Sequence, residues 1–380
     1  MSSTETRGRF NLIFGVILLI SIGLAVWTRN FILMLVALTL LTIFAAVLIK
    51  PLRNIATVVT SALIGFIILE AALIYLFTPK VPAFDPTASY SQPSYGARDT
   101  AIGYQPNEGV YQSRKFDVDG SVMYDVTYTI GPDRFRVNPN VKNSGQSINM
   151  MGGSFVFGEG LNEDQTLPYL LSEATGLDVR NYGIHGYGMH QALALMENDL
   201  VADADINIVF TIPWHALRSA CKPVFGAGSP RYKIVDGDVV RDGVCPNRSI
   251  WRRLIYRSQT LILIERLFRK ENITTDADVE LYLEIIEEMH RVSQAKDQKF
   301  MIVFMKARQE FIEDSSFTNE MIADRLKKTS DLFLDVTLVD VREDLPDKYI
   351  IHPKDEHPSE IANVERTALI ADALQPWLKP

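Results

Sequence analysis

The sequence predicts an α/β protein: three N-terminal transmembrane helices, then a three-layer α/β/α domain with a mostly parallel sheet and a β-rich lead-in. Three observations predict it. Three apolar stretches each approach the roughly 20 residues that a helix needs to cross the hydrocarbon. From about residue 147 onward, short apolar strands alternate with helical patterns, the rhythm of a parallel sheet covered on both faces. Between the two regions lie a proline-rich segment and one strongly alternating strand.

The apolar stretches run from Phe10 to Trp27, Phe31 to Ile49 and Ile55 to Phe77. Arg7 and Arg9 precede the first, Arg29 stands alone in the first turn, and Lys50 and Arg53 flank the second turn. Basic residues favour the cytoplasmic side, so the N-terminus and the second turn are expected inside the cell and the region after Phe77 outside. No small-residue cleavage site follows the first stretch, and another span comes at once, so a removed signal peptide is not expected. Glu70 falls near the outer end of the third span, where a long side chain reaches the headgroups. Residues 1–77 thus read as the membrane domain of a multi-pass inner-membrane protein with a cytoplasmic N-terminus.

Residues 78–107 carry Pro79, Pro82, Pro86, Pro93 and Pro106 among Ser, Tyr and Gly, which describes a linker. Residues 108–380 form the expected extracytoplasmic, periplasmic domain. Val122, Tyr124, Val126, Tyr128 and Ile130 alternate with Met123, Asp125, Thr127 and Thr129, giving a strand with one buried face; Gly131-Pro132-Asp133 turns it and Phe135 to Val137 pair back. This β-rich lead-in is taken from Gly103 to Gly145.

Ser147 to Met151 reads as the first strand of the main sheet. Gln165 to Thr175 is predicted as a helix ended by Gly176, Asp178 to Asn181 as a strand, and Gln191 to Leu200 as a helix. Ile206 to Ile212 is a buried strand, Val279 to Ala295 a long helix, Phe300 to Met305 and Leu332 to Val339 further strands, and Ser359 to Leu378 a closing helix. Ala216 to Thr275 breaks the rhythm. It includes Ser249 to Lys270, whose six basic residues stand among apolar ones, so this segment is expected either to lie on an anionic membrane surface or to pack on the sheet.

Composition narrows the chemistry. The formal net charge is -8 and no basic block dominates, which argues against nucleic acid as a partner. Cys221 and Cys245 are the only cysteines and lack zinc-site spacing; in an oxidising compartment they are able to pair, the alternative being two unrelated buried thiols. No histidine–carboxylate spacing points to a metal, and Gly183 to Gly188 lacks the form a dinucleotide needs, so no cofactor is expected.

The chemistry is expected at Gly152-Gly153-Ser154-Phe155-Val156-Phe157-Gly158-Glu159-Gly160. Glycines directly after a strand let the backbone turn sharply and present one small hydroxyl at the carboxyl end of the sheet. A serine needs a base, and the base needs an orienter. Asp355-Glu356-His357-Pro358 supplies both: His357 is placed to accept the Ser154 proton while Asp355 holds the other ring nitrogen. His352 is the rival base but has no carboxylate two positions earlier. His185, inside the glycine-rich turn, either lines the pocket or does not; His190 and His290 read as ordinary core or surface residues.

Gly152-Gly153-Ser154-Phe155 with Gly158, Asn181-Tyr182-Gly183-Ile184-His185-Gly186-Tyr187-Gly188 with Gln191, and Asp355-Glu356-His357-Pro358 together resemble the SGNH (GDSL-type) hydrolases, in particular membrane-anchored cell-envelope members. The resemblance covers about Ile148 to the C-terminus. It implies an SGNH-like fold, Ser154 as nucleophile and first backbone oxyanion donor, Gly186 as second donor, His357 as base and Asp355 as its orienter. It further implies a serine esterase or O-acyltransferase that uses an acyl-enzyme, with an O-acylated, in particular O-acetylated, envelope glycan as substrate. A lipid ester is the further substrate class, and envelope proteins are the expected partners.

Two positions depart from the pattern. Gly153 stands where an Asp usually precedes the serine. The Asn expected after the Ile206–Ile212 strand is absent, the chain reading Pro213-Trp214-His215-Ala216-Leu217-Arg218. His215 or the Trp214 indole is expected to donate instead, since either can bond an oxyanion. The alternative is an inactive SGNH-fold envelope protein that binds a glycan or a protein partner.

Overall fold

The computed structural model describes residues 14–25, 31–77, 101–117, 119–139, 145–222, 226–246, 258–268, 274–308, 311–312, 314–340 and 346–378. The chain divides into two compact units: residues 1–79 with 248–270, and residues 80–247 with 271–380.

The first unit contains α1 (Phe14–Ala25), α2 (Phe31–Leu48) and α3 (Arg53–Phe77). Two stretches, Phe31–Leu48 and Lys50–Leu76, are long and apolar enough to cross a membrane; α1 is apolar but shorter over its described residues. The expectation of three spans is thus met by two such helices. The ends of the first expected span, and the basic residues Arg7, Arg9 and Arg29, lie outside the described residues. Large apolar side chains such as Val58 and Ile68 face outward on α3, which is the surface a bilayer would cover. Thr42 and Thr60 share a hydrogen bond of 2.8 Å between α2 and α3.

Glu70, expected to reach outward near the end of the third span, is 1% exposed and turned to a short helix of the same unit. It accepts hydrogen bonds from Ser258 Oγ (2.7 Å) and from the backbone N–H groups of Gln259 (2.8 Å) and Thr260 (2.9 Å). These donors begin α8 (Gln259–Phe268), whose first-turn N–H groups have no intrahelical acceptor and whose dipole favours an anion. Of the segment expected to be a basic amphipathic helix, residues 249–257 and 269–270 lie outside the described residues.

The second unit is built on a five-stranded sheet in the order β4-β3-β5-β8-β9. The strands are β3 (Ser147–Gly152), β4 (Asp178–Gly183), β5 (Ile206–Thr211), β8 (Lys299–Phe304) and β9 (Leu332–Asp335). All four pairings are parallel, as strands buried on both faces predict. β3 lies mid-sheet, Met150 standing opposite Asn181 on one side and Ile208 on the other. The chain first adds β4 on one side and then crosses to add β5 on the other. That reversal opens a crevice beyond the carboxyl ends of β3 and β5, where doubly wound sheets hold ligands.

Helices cover both faces. In chain order they are α4 (Ser154–Phe157), α5 (Leu167–Thr175), α6 (Met189–Glu197), α7 (His215–Ser219), α9 (Asp276–Ala295), α10 (Asn319–Lys328) and α11 (Glu360–Leu374). Leu167, Leu171, Ile370 and Leu374 of α5 and α11 pack on one face with Ile148, Ile208 and Val303. Leu193, Tyr282, Ile286 and Ile322 of α6, α9 and α10 pack on the other with Val209 and Ile302.

Some boundaries differ from the pattern reading. α5 begins at Leu167 because Thr166 is extended and its hydroxyl accepts from Tyr169 N–H; the Glu163–Gln165 turn before it has its own capping box. β9 stops at Asp335, whose carboxylate accepts from the Thr337 N–H (3.0 Å) and hydroxyl (2.5 Å), a side-chain turn that competes with the strand. The closing helix ends at Leu374, where a tight turn over Gln375–Trp377 contains Pro376. Ile102 is fully buried in the core, so packing begins earlier than the linker boundary expected at residue 107; residues 78–100 lie outside the described residues.

The lead-in is an antiparallel pair, β1 (Gly109–Phe116) with β2 (Val122–Ile130), and Ile130 bridges to Arg136 as expected. The segment that broke the rhythm contributes a second hairpin, β6 (Pro230–Val235) with β7 (Asp238–Val244). Cys221 and Cys245 form a disulfide, Cα–Cα 5.3 Å. A third pair, β10 (Ile350–His352) with β11 (Asp355–Pro358), stands before α11.

Candidate active site

Ser154 is the first residue of α4, reached from β3 through Gly152 and Gly153. The turn leaves little room. A methyl group on Gly183, at the end of the adjoining strand, would lie 2.2 Å from the Phe157 backbone nitrogen, so α4 can sit on β4 only because that position has no side chain. Asn181 reaches the same helix, its amide donating to the Phe157 carbonyl at 3.4 Å.

Arg136 fixes the other end of α4. Its buried guanidinium donates to the carbonyls of Phe157 (2.9 Å), Gly158 (2.7 Å) and Leu161 (2.7 Å) and lies over the rings of Tyr128 and Phe157. Burial pulls its pKa down to about 10, still far above neutral pH, so it stays a cation. Tyr128 adds a hydroxyl that accepts from Gly160 N–H at 2.8 Å. The lead-in therefore holds the serine turn in place as well as packing against it.

Asp355 and His357, which precede the closing helix, lie two apart on β11. Residues two apart on a strand project to the same side. His357 Nε2 lies 2.9 Å from Ser154 Oγ, and His357 Nδ1 lies 2.5 Å from Asp355 Oδ1. Asp355 Oδ2 accepts from Lys115 Nζ at 2.7 Å, so a residue of β1 takes the oxygen that the imidazole leaves. Burial acts to raise the Asp355 pKa, but the bonds to His357 and Lys115 outweigh it and hold the carboxyl well below its usual range. An ionised Asp355 requires a proton on Nδ1, which leaves Nε2 to accept from the serine.

His352, the rival base, lies on β10 and its Nδ1 accepts from Lys354 N–H. His290 pairs with Asp331 at 3.0 Å, and His190 is buried on α6, its pKa lowered to about 3 by burial and by Arg218. These two carry no part of the site. His185 does approach it: its Nδ1 lies 2.7 Å from Glu159 Oε2, and that same oxygen is 3.3 Å from His357 Nε2. Burial raises the Glu159 pKa, but His185 and then His357 overcome it and bring it to about 2. Glu159, Asp355 and His357 place donor atoms within 4.8 Å of one another, as a metal cluster would. Asp355 is bonded to the imidazole through one oxygen and to Lys115 through the other, so a cation there would have to displace both.

Beyond Ser154, a small recess is lined by Gly153, Trp214, His215 and Arg218. His215 Nδ1 faces the Ile212 N–H (3.4 Å) and the Thr211 hydroxyl (3.2 Å). The backbone N–H can only donate, so Nδ1 is the acceptor and the proton resides on Nε2. A methyl on Gly153 would lie 3.4 Å from that Nε2. Burial, with Arg218 nearby, holds the His215 pKa well below its usual value, so the ring is a neutral Nε2–H donor. Trp214 stacks edge-on between Phe155 and Phe311, centroids 5.7 and 5.3 Å apart. Phe155 and Trp214 also wall a neighbouring apolar cavity with Met305 and Pro358. Gly186 takes a left-handed turn between β4 and α6, φ 72°.

Sequence reasoning missed Glu159, Lys115, Arg136 and Arg218 as parts of this neighbourhood. For Glu159 a signal existed, since it is the only charged residue in the glycine-rich run.

No family model matches the chain, and no curated protein matches it. Among solved structures, the chain is similar to a member of the lipolytic G-D-S-L family from Veillonella parvula, at 10% identity and TM-score 0.35, covering 60% of this chain and 98% of that one. It is similar to a carbohydrate esterase family 2 enzyme from Corynascus thermopiles, at 13% identity and TM-score 0.37, over 66% and 72% of the two chains. An acetyl xylan esterase from Butyrivibrio proteoclasticus is similar at 9% identity and TM-score 0.33, over 67% of each chain.

Proposed function

We propose that this protein is a membrane-anchored serine esterase or O-acyltransferase that works through a Ser154 acyl-enzyme. The observation that carries the reading is the continuous chain from Ser154 Oγ through His357 to Asp355, at 2.9 and 2.5 Å. His357 takes the serine proton as Oγ attacks an ester carbonyl and returns it to the departing alcohol. Water or a sugar hydroxyl then attacks the acyl-enzyme, and the same histidine takes that proton. The N–H groups of Ser154 and Gly186 and the Nε2–H of His215 serve the oxyanion.

The substrate we assign is an O-acylated envelope glycan, in particular an O-acetylated one, with the Phe155 and Trp214 rings against the acyl group. A lipid ester is the second substrate class. Three N-terminal spans, α1 included, anchor the chain in the inner membrane, with the linker and the catalytic domain on the periplasmic side. The Cys221–Cys245 disulfide supports that placement, because disulfides persist in oxidising compartments. The absence of an Asn after the Ile206–Ile212 strand favours the other reading, an inactive glycan- or partner-binding protein; the aligned Ser154, His357 and Asp355 weigh against it.

The test is labelling of the full-length protein in detergent with a fluorophosphonate, with release of p-nitrophenol from p-nitrophenyl acetate followed in parallel. Labelling and turnover are expected in the wild type and neither in Ser154→Ala or His357→Ala. A folded wild type that does neither would leave the binding-protein reading.

A further inference from the structure

We infer that Arg218 is a further donor of the oxyanion site beside the Nε2–H of His215, a fixed cation in the segment where related enzymes carry a neutral asparagine side chain. The inference rests on the serine-esterase reading above and deepens it.

The observations are positional. Arg218 is on α7, in the loop that follows β5 and from which the absent Asn would have come. Its side chain runs across one glycine and ends at another. A methyl on Gly188 would lie 2.6 Å from Arg218 Cβ, and a methyl on Gly153 would lie 3.0 Å from Arg218 Nη1. The same Nη1 donates to the Tyr187 carbonyl at 2.9 Å. The guanidinium is thus wedged between the Gly153-Ser154 turn and the Gly186-Tyr187-Gly188 turn, the two backbone segments that supply the other donors. With Ser154, Trp214 and His215 it lines the recess beside the nucleophile. Neither glycine tolerates a side chain without moving it.

Geometry and charge fit the task. A guanidinium is planar and carries five N–H donors in a rigid fork, so the bond to Tyr187 fixes its plane. When Ser154 Oγ bonds the ester carbon, its proton passes to His357 and the carbonyl π pair moves onto oxygen. That oxygen, now negative, accepts from the Arg218 fork; no proton leaves the arginine. As the intermediate collapses, the pair returns to the carbon, the C–O bond to the alcohol breaks, and the alcohol leaves with the proton from His357. Burial lowers the Arg218 pKa, with Tyr104 and Glu159 opposing, yet an arginine remains charged throughout the working range.

The experiment is kinetics of the full-length protein in detergent with p-nitrophenyl acetate, comparing Arg218→Met, Arg218→Ala, Arg218→Lys and Ser154→Ala. Removing one oxyanion donor lowers kcat by about 10²–10³. That loss is expected in Arg218→Met and Arg218→Ala with KM changed by less than about threefold, because the interaction exists only in the transition state. Millimolar guanidinium is expected to restore part of the Arg218→Ala rate and none of the Ser154→Ala rate. A merely structural role would not give that rescue. Wild-type turnover with an Arg218→Met kcat within threefold of it overturns the inference and leaves the esterase reading intact. So does a loss that guanidinium fails to rescue. If the Met and Ala variants do not fold, Arg218→Lys decides, since it keeps charge and stem but shortens the fork's reach: a kcat at least tenfold lower at unchanged KM supports the role, and an unchanged kcat overturns it. A wild type that neither labels nor turns over removes both readings together.

Discussion

Lys115 and Asp355, one on β1 and the other on β11, meet at 2.7 Å, and the carboxylate they share with His357 is almost fully buried. The lead-in hairpin therefore supplies the counter-charge of Asp355. In Lys115→Met, Asp355 loses one of the groups that keep it ionised, and its pKa rises. Because the ammonium is 40% exposed and so screened by water, the loss is expected to be modest, about 1 kcal/mol. A rate profile against pH reads it: kcat/KM falls by roughly fivefold and its acidic limb moves to higher pH.

Arg136 predicts a stability effect that leaves the chemistry's residues in place. Three carbonyls behind the serine turn share this one guanidinium. Arg136→Met fills the space but strips their donors, and each orphaned buried polar group costs about 1–3 kcal/mol. Thermal melting of the full-length variant is expected well below the wild type, and its fluorophosphonate labelling is expected to slow as α4 loosens.

Glu159 gives an acid signature. Its folded pKa lies at about 2, below the ordinary value of about 4.3. A depressed carboxyl contributes stability that is present above the unfolded pKa and lost as pH falls through the folded one. Wild-type stability is thus expected to decline between about pH 4 and pH 2. Chemical denaturation of Glu159→Gln across that window should show a shallower decline, since its amide does not titrate; Asp355, also depressed, keeps part of the slope.

Glu70 anchors α8 within the first unit. Glu70→Gln keeps the shape of the side chain but removes the charge that the helix N-terminus favours, a loss of about 0.5–2 kcal/mol. Amide hydrogen exchange at Gln259 and Thr260 is expected to quicken in the variant while exchange in α2 stays unchanged. Equal exchange in both proteins would show that the carboxylate does not hold this helix.

The parts of this molecule legible from sequence are those whose signal is local. Ser154 was legible because glycines cluster directly after a strand, and Asp355 with His357 because a carboxylate two positions before a histidine is placed to hold its second ring nitrogen; that the two lie on a strand was not legible. The parallel sheet followed from buried strands alternating with helices. Lys115 was not legible, because on an alternating surface strand a lysine is the ordinary outward residue, and only β1 meeting β11 gives it a partner. Arg136 and Glu159 were not legible, their targets being backbone carbonyls and histidines that only folding brings near. Glu70 was visible as an acid in an apolar span, but its partner, Ser258, stands 188 residues later. Arg218 stood in the block where the Asn was missing, six positions past the strand end, and its reach became clear only once Gly153 and Gly188 were seen to face it.

The hairpin that holds Asp355 and His357 has one more consequence, and it concerns inheritance. Where an acid and its histidine come from separate loops, exchanging the base requires two coordinated changes far apart in the chain. Here both lie within β11, a strand of four residues, so a single short insertion, deletion or recombination carries off the proposed base and the carboxylate bonded to it together. Loss of the pair along such a lineage is then a one-step event that leaves Ser154, the sheet and the apolar N-terminal helices untouched. Descendants of this chain would be expected to lose the pair as a unit before they lose the serine.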